Sequence, residues 1–219
     1  MHKRVFLQLY LLFFVLLLAS CTPAPNNADL IHLRQLKDQA FAGDQESQYQ
    51  LGIHYTVNNQ WSWDKTRGYN WFLDAAKAGH ADAQYMVGMG KLLGRGTSED
   101  AAGALTWLSR AAEQGHERSQ YQLGQAYLNG NGTEKDPLWG RYWLEQAARS
   151  DHPEAQFLLA ALFRRGIGGQ INLPEVWLWL NRAEQSGHKN AATALQNLTG
   201  EFSKKDKNTA NQLANQIEN

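Results

Sequence analysis

The sequence is poor in reactive groups. It has one cysteine among 219 residues, which leaves no pair for an intrachain disulfide, so its stability must come from packing alone. It contains no Gly-x-Ser-x-Gly elbow, no phosphate-binding loop and no His-Glu-x-x-His zinc motif. Basic and acidic residues both number 21, and this balance argues against the basic surface that nucleic-acid binding needs. These absences argue against an enzyme and against a nucleic-acid-binding protein.

The chain does have a fixed period of 36 residues. Shifted by that length, the segment Ala81–His116 aligns with its neighbours, and no gap is needed between Gly43 and His188. Three columns that carry the period are Gln48, Gln84, Gln120 and Gln156; Trp71, Trp107, Trp143 and Trp179; and His80, His116, His152 and His188. A period in this range is typical of a solenoid, in which each unit buries its apolar face against its neighbours.

Each period predicts a hairpin of two helices. Ala104, Trp107, Leu108 and Ala111 have the spacing i, i+3, i+4 and i+7, which is one face of an amphipathic helix. An N-cap residue is predicted directly before this helix in each unit, at Asp64, Asp100, Asp136 and Asn172. The acidic column is therefore explained by capping and not by acid–base chemistry.

Glycines mark the ends and contacts of the predicted helices. The second helix is predicted to end at a residue with positive φ, at Gly43, Gly79, Gly115 and Gly187. Gly94-Arg95-Gly96 and its equivalents are predicted to form the loop within each hairpin. Gly88 and its equivalents are predicted to remove a side chain where two helices approach closely.

These columns resemble the Sel-one-like repeat (SLR) class, which is related to tetratricopeptide repeats. The shared columns are Ala-x-Ala-Gln-x-x-x-Gly, Gly-x-Gly, Asp, Trp-Leu, Ala-Ala and Gly-His. The resemblance implies an all-α fold, a right-handed α-solenoid of helix–loop–helix hairpins with about four full repeats, at residues 44–79, 80–115, 116–151 and 152–187. Capping half-repeats are expected at residues 29–43 and 188–219. The class mostly supplies binding surfaces, so the resemblance implies a protein without catalytic residues or cofactors.

The N-terminus predicts export. Lys3 and Arg4 precede an apolar run at residues 5–18, as in a signal peptide at residues 1–20. The tetrad Leu18-Ala19-Ser20-Cys21 resembles the bacterial lipobox, which implies cleavage before Cys21 and lipidation of its thiol. The residue that follows is Thr22 and not Asp, which favours the outer membrane over inner-membrane retention. An uncleaved membrane anchor and a plain secreted protein are the alternatives.

The predicted mature chain starts with a polar tether, and the solenoid follows it. Residues 21–28 combine the lipidated cysteine with a Pro/Asn-rich spacer. Cleavage removes Lys3 and Arg4 and no acidic residue, so 19 basic and 21 acidic residues remain, a net charge of −2. The mature chain would then carry no free thiol for metal binding or nucleophilic attack.

The histidines do not predict a metal site. Four of the seven occur once per repeat at the joint between hairpins, and stacked repeats hold successive copies too far apart to share an ion. The sequence therefore predicts no metal and no cofactor.

Aromatic residues predict the binding surface. Four of the eight tryptophans lie in the packing column and are predicted to be core. Trp61, Trp63 and Trp139 lie outside it, and exposed aromatic residues that the repeat does not require are typical of a partner site; capping of a local gap is the alternative. In this fold class the first helix of each repeat lines the concave face. The candidates there are Gln50, His54, Tyr55, Lys91, Gln122, Tyr127 and Arg164, and packing between repeats is the alternative for them.

Three functions fit these features. The first is a lipid-anchored adaptor that holds one or more envelope or secreted proteins on the periplasmic side of the outer membrane. The second is an immunity protein that neutralises a secreted antibacterial toxin. The third is a glycan- or peptidoglycan-binding protein that uses exposed tryptophans. The adaptor is the preferred prediction.

Overall fold

The computed structural model describes residues 27–57, 62–198 and 202–217. Within these ranges the protein consists of eleven α-helices joined by short loops, and no strand is present. Their bounds are α1 Asn27–Phe41, α2 Gln45–Val57, α3 Ser62–Lys77, α4 Ala81–Leu93, α5 Ala101–Glu113, α6 Glu117–Asn129, α7 Pro137–Arg149, α8 Pro153–Arg165, α9 Leu173–Gln185, α10 Ala191–Leu198 and α11 Lys204–Ile217. None of these described helices is long and apolar enough to cross a membrane. The predicted signal peptide and Cys21 lie outside the described residues.

The helices pack in consecutive pairs. α2 packs on α3, α4 on α5, α6 on α7 and α8 on α9, and the second helix of each hairpin also contacts the first helix of the next one. The prediction of an all-α, right-handed solenoid of four hairpins is confirmed. In such a stack each repeat buries its apolar face against its neighbours and not in a central core.

Glycines in the first helices bring the two helices of each hairpin together. Leu108 on α5 is fully buried, and a Cβ atom on Gly88 of α4 would lie only 2.7 Å from its Cγ. Gly124 stands in the same relation to Leu144, at 2.6 Å. Because real Cβ atoms do not approach other carbons this closely, these positions favour glycine, as predicted.

The predicted N-caps are present in three of the four repeats. Asp100 accepts a hydrogen bond from the backbone N–H of Gly103 at 2.8 Å, and Asp136 and Asn172 begin α7 and α9 in the same way. The prediction is wrong for Asp64, because α3 already begins at Ser62. The first repeat has Asn-Asn-Gln at residues 58–60, where the later repeats have a Gly-x-Gly loop, and its second helix begins three residues earlier than its equivalent α5.

The tryptophan column is less buried than predicted. Trp179 is only 2% exposed, but Trp71, Trp107 and Trp143 are each partly exposed. The fully buried residue in each of those three repeats is the next one along the helix, Phe72, Leu108 and Leu144. Trp107 and Trp143 instead pack at the edges of the apolar clusters between hairpins: Trp107 on the cluster that joins the first hairpin to the second, and Trp143 on the cluster that joins the second to the third.

Both ends of the described solenoid carry extra helices. α1 packs on α2 at the N-terminal end, and α10 and α11 both pack on α9 at the other end. α11 begins at Lys204, where Ser203 and Asp206 cap it reciprocally. Ala210 of α11 and Leu198 of α10 are fully buried, so this segment covers the apolar end of the stack.

Candidate interaction surfaces

The histidine column caps the first helix of the second, third and fourth repeats. The Nδ1 atom of His116 accepts a hydrogen bond from the backbone N–H of Ser119 at 3.1 Å, and His80 and His152 accept in the same way at the starts of α4 and α8. Asp44 occupies the equivalent position before α2 and caps it through Ser47 at 2.8 Å. These histidines are thus N-caps. The described residues contain no group of three His, Cys, Asp or Glu side chains that could hold a metal ion.

Each histidine ring also stacks on an aromatic ring of the preceding repeat. The centroids lie 4.6 Å apart in Tyr49–His80 and 4.7 Å apart in Tyr121–His152. At His80 and His116 an acidic residue of the preceding hairpin contacts the Nε2 atom: Glu46 lies 2.9 Å from His80 and Asp82 lies 3.2 Å from His116. The ring therefore joins two hairpins while it caps a helix.

Burial lowers the pKa of His116 and of His152, although neighbouring carboxylates oppose this change. A lowered pKa keeps the ring neutral, and only a neutral ring has the Nδ1 lone pair that caps the helix. The lowered pKa thus keeps each ring in the neutral form that caps the helix at the joint between repeats.

The glutamine column closes the ends of the second helices. The side-chain Nε2 atoms donate to the backbone carbonyl oxygen eight residues earlier, at 3.0–3.2 Å: Gln48 to Ala40, Gln84 to Ala76, Gln120 to Ala112 and Gln156 to Ala148. These carbonyls lie near helix C-termini and each also accepts the backbone N–H three residues further on, so the glutamine adds a second bond that crosses the joint between hairpins. The column is evident from the sequence, but this role is not.

The aromatic patch consists of Tyr127 of α6 and Leu138, Trp139, Tyr142 and Trp143 of α7. Trp139 lies between Tyr127 and Trp143, with ring centroids 6.3 and 6.5 Å away, and Tyr142 contacts both tryptophans edge-on. Leu138 is 64% exposed, Trp139 50% and Tyr142 45%. The structure thus brings the candidates Tyr127 and Trp139 into one surface. Sequence reasoning missed Leu138 and Tyr142.

The other repeats do not have this patch. The positions equivalent to Trp139 hold Arg67, Gly103 and Glu175. The position equivalent to Tyr142 in the fourth repeat is Leu178, which is 2% exposed because the C-terminal helices cover it. Packing of the repeat therefore does not require the exposed aromatic residues of α7.

The other candidates on the first helices have local contacts. Lys91 donates from Nζ to Asp100 Oδ2 at 2.9 Å, and this contact lowers the pKa of Asp100 and raises that of Lys91. Gln50 donates to Glu46 Oε1 at 2.7 Å. Their role in binding stays a prediction.

The remaining candidates do not converge on one site. His54 lies edge-on to Tyr55, whose ring lies under the guanidinium of Arg67 at 5.2 Å. Gln122 is half-buried and Arg164 is exposed. Trp61 and the side chain of Trp63 lie outside the described residues.

A cavity of about 410 Å³ lies between the first and second repeats. Its apolar walls include Tyr69 and Phe72 of α3 and Met86 and Met89 of α4. Exposed cationic side chains of Lys65 and Arg95 stand at its edge. Its volume falls within the range of ligand pockets.

The comparisons with known proteins place this architecture in one family. The Sel1 repeat model matches residues 45–80, 81–116, 118–152 and 153–188. These matches cover more than half of the chain, so the protein belongs to the Sel1 repeat family. Sel1 repeat proteins generally mediate protein–protein interactions and are typically non-catalytic scaffolds. No curated protein matches the sequence.

Two solved structures are similar over most of the chain. A Sel1 repeat protein from Oxalobacter formigenes is 30% identical, with a TM-score of 0.69 over 76% of this chain and 48% of that one. The protein c5321, a protective antigen present in uropathogenic Escherichia coli strains that displays an SLR fold, is 29% identical, with a TM-score of 0.72 over 76% of this chain and 36% of that one. The matched part thus spans less than half of each relative.

Proposed function

We propose that this protein is an outer-membrane lipoprotein that acts as a scaffold for other proteins of the bacterial envelope. The aromatic patch carries the proposal. Exposed Trp139 and Tyr142 offer large rigid contact areas at a small cost in side-chain entropy, which is why such residues dominate binding energy at interfaces. Neighbouring helices hold the patch in place, so a partner would bind a preformed surface.

The sequence features of the N-terminus support the anchor. The apolar run at residues 5–18 followed by Leu18-Ala19-Ser20-Cys21 has the order of a lipoprotein signal. A lipid on Cys21 and a short tether would hold the solenoid near the membrane surface. Metabolic labelling with palmitate, compared between the native chain and Cys21→Ala, tests this part: loss of label only in the variant is expected, and unlabelled native chain contradicts it.

Crosslinked capture from envelope extracts tests the scaffold. The test variant is Trp139→Arg with Tyr142→Thr, because Arg67 and Thr106 occupy these positions in other repeats. The matched control is Phe41→Lys, which removes another exposed aromatic side chain and introduces the lysine of the equivalent position, Lys77.

The native chain and the Phe41→Lys control should capture the same protein in stoichiometric amount, and the patch variant should lose about tenfold or more in affinity. Equal capture by all three chains would show that the patch is not the interface. The identity of the captured protein separates the roles: a secreted toxin would indicate immunity, and an envelope component would indicate a scaffold.

A glycan is the second candidate ligand, because Trp139 and its flanking rings also suit stacking against sugars. Soluble peptidoglycan fragments should then quench tryptophan fluorescence of the native chain and not of Trp139→Arg. No quenching in either chain would exclude this alternative.

A further inference from the structure

The cavity between the first two repeats combines an apolar base with a cationic edge. Tyr69 and Phe72 are buried at 8% and 1% exposure, and the flexible side chains of Met86 and Met89 complete the wall. Methionine adapts to irregular apolar ligands because its side chain is unbranched and polarisable. The cavity therefore suits an apolar group of moderate size.

Two exposed cationic residues, Lys65 and Arg95, line the cavity. The loop that carries Arg95 rests on the first turns of α3: a Cβ atom on Gly96 would lie 2.8 Å from Tyr69 Cβ and 2.5 Å from the carbonyl oxygen of Lys65. No acidic residue is among the described residues that line the cavity. Neither Lys65 nor Arg95 forms an ion pair within the described part of the chain. The opening therefore favours an anionic group.

The chain's own repeats show why the cavity lies at this junction. Thr56 and Gly90 line it, and the equivalent positions at the next junction hold the larger residues Leu92 and Ala126. A Cβ atom on Gly90 would lie 2.9 Å from the Tyr69 ring. Small residues at these positions leave the space open.

The chemistry of the lining is also particular to this junction. Counted one repeat further on, Lys65 corresponds to Ala101 and Arg95 to Asn131. The two methionines correspond to Gln122 and Gln125. Both the cations and the methionine part of the apolar wall are therefore absent from the next junction.

We propose that this cavity binds the free C-terminal end of a partner polypeptide whose last residue is apolar. The last side chain would enter between Phe72 and the methionines, and the terminal carboxylate would bind Lys65 and Arg95 through charge-assisted hydrogen bonds. The choice of a polypeptide end rests on the proposed function as a protein scaffold. The proposed contact lies at the junction of the first two repeats and is separate from the aromatic patch of the third repeat.

Selection from a peptide library tests the assignment. Hexapeptides with randomised C-terminal halves, made as free acids and as C-terminal amides, are passed over the immobilised full chain, and bound peptides are sequenced. Free acids that end in an apolar residue should be enriched. Amidation of a selected peptide should weaken binding about tenfold, because it removes the charge that the cations bind.

The test variants carry the residues that the later repeats have at the equivalent positions. Lys65→Ala with Arg95→Asn introduces the residues of the equivalent positions and should weaken free-acid binding about tenfold without affecting amides. Thr56→Leu should abolish binding by filling the cavity. The equivalent position in the third repeat is Leu128, which packs on Gly140 as Thr56 packs on Gly68. A leucine at this position is therefore compatible with the fold.

Three outcomes would overturn the proposal: no enrichment of apolar C-termini, equal binding of acids and amides, or unchanged binding by the charge variant. Laurate is tested alongside as a lipid carboxylate; if it binds and no peptide does, the occupant is a lipid. Circular dichroism of each variant checks that the helices are retained. If no peptide binds the cavity but a partner is captured through the aromatic patch, only the cavity assignment is contradicted. If a peptide binds the cavity but capture does not depend on the patch, only the role of the patch is contradicted.

Discussion

The side chain of Gln156 on α8 donates a hydrogen bond to the carbonyl oxygen of Ala148 on α7, at 3.0 Å, and so joins the third hairpin to the fourth. Gln156 is fully buried. The same carbonyl oxygen also accepts from the backbone N–H of Asp151 at 3.2 Å, so the glutamine adds the bond that crosses between the two hairpins. The same bond recurs at each junction between hairpins.

Replacement of Gln156 by alanine should lower the free energy of unfolding by about 1–3 kcal/mol, because a fully buried side chain loses its hydrogen bonds to the Ala148 carbonyl and to Asp151 Oδ1. Urea unfolding followed by circular dichroism measures the change. Gln122→Ala is the control, since Gln122 is half-buried on the neighbouring first helix; its effect should stay within about 0.5 kcal/mol. Equal effects of the two substitutions would contradict the assigned role.

Local signals and residues repeated in register could be predicted from the sequence. Asp100 is a side chain that caps its own helix, and Gly88 marks a helix contact that recurs three times. The first depends on short-range geometry and the second on a residue that recurs in register, so spacing alone reveals both. The start of α11 could also have been found, since Ser203 and Asp206 form a local capping box.

Features that depend on contacts between different columns could not be predicted. The bond from Gln156 to Ala148 crosses the joint between two hairpins. The aromatic patch combines Tyr127 and Trp139 from two helices, and the cavity depends on small residues at Thr56 and Gly90. Periodicity shows which positions are equivalent, but the volume between two repeats follows from the side chains on both sides.

Acidification should destabilise the stack through His116. Burial lowers the pKa of this ring below 6.5. Asp82 of the preceding repeat opposes the shift, and on the ring's own helix Arg118 lowers the pKa further while Glu117 raises it. The folded state therefore binds fewer protons than the unfolded state. The stabilising contribution is present above pH 6.5 and is lost as pH falls through the folded pKa.

His152 should contribute with the same sign. Burial lowers its pKa as well, Glu154 and Glu117 oppose the change, and Arg118 adds to it. The melting temperature of the native chain should fall between about pH 7.5 and pH 5.5. The change should be smaller when both histidines are replaced by asparagine, which caps helices and does not titrate. An identical pH dependence in the two chains would assign the effect to other groups.

Replacement of Gly88 by alanine should destabilise the second hairpin. The new Cβ would lie 2.7 Å from Leu108 Cγ, and overpacking of this kind costs about 1–3 kcal/mol. A double-mutant cycle with Leu108→Ala tests the cause, because the penalty at Gly88 should largely disappear once the leucine side chain is removed. Additive effects would show that close packing against Leu108 is not what this position requires.

Substitution of Trp179 should destabilise the protein far more than substitution of Trp139. Trp179 is 2% exposed, and its Nε1 atom donates to Glu175 Oε2 at 2.8 Å; replacement by alanine should cost about 3–5 kcal/mol. Trp139 is 50% exposed, and Trp139→Arg should change the free energy of unfolding by less than about 1 kcal/mol. Thermal melts of both variants measure these effects. A large loss of stability in Trp139→Arg would mean that the aromatic patch supports the fold, and the case for a partner at that surface would fail.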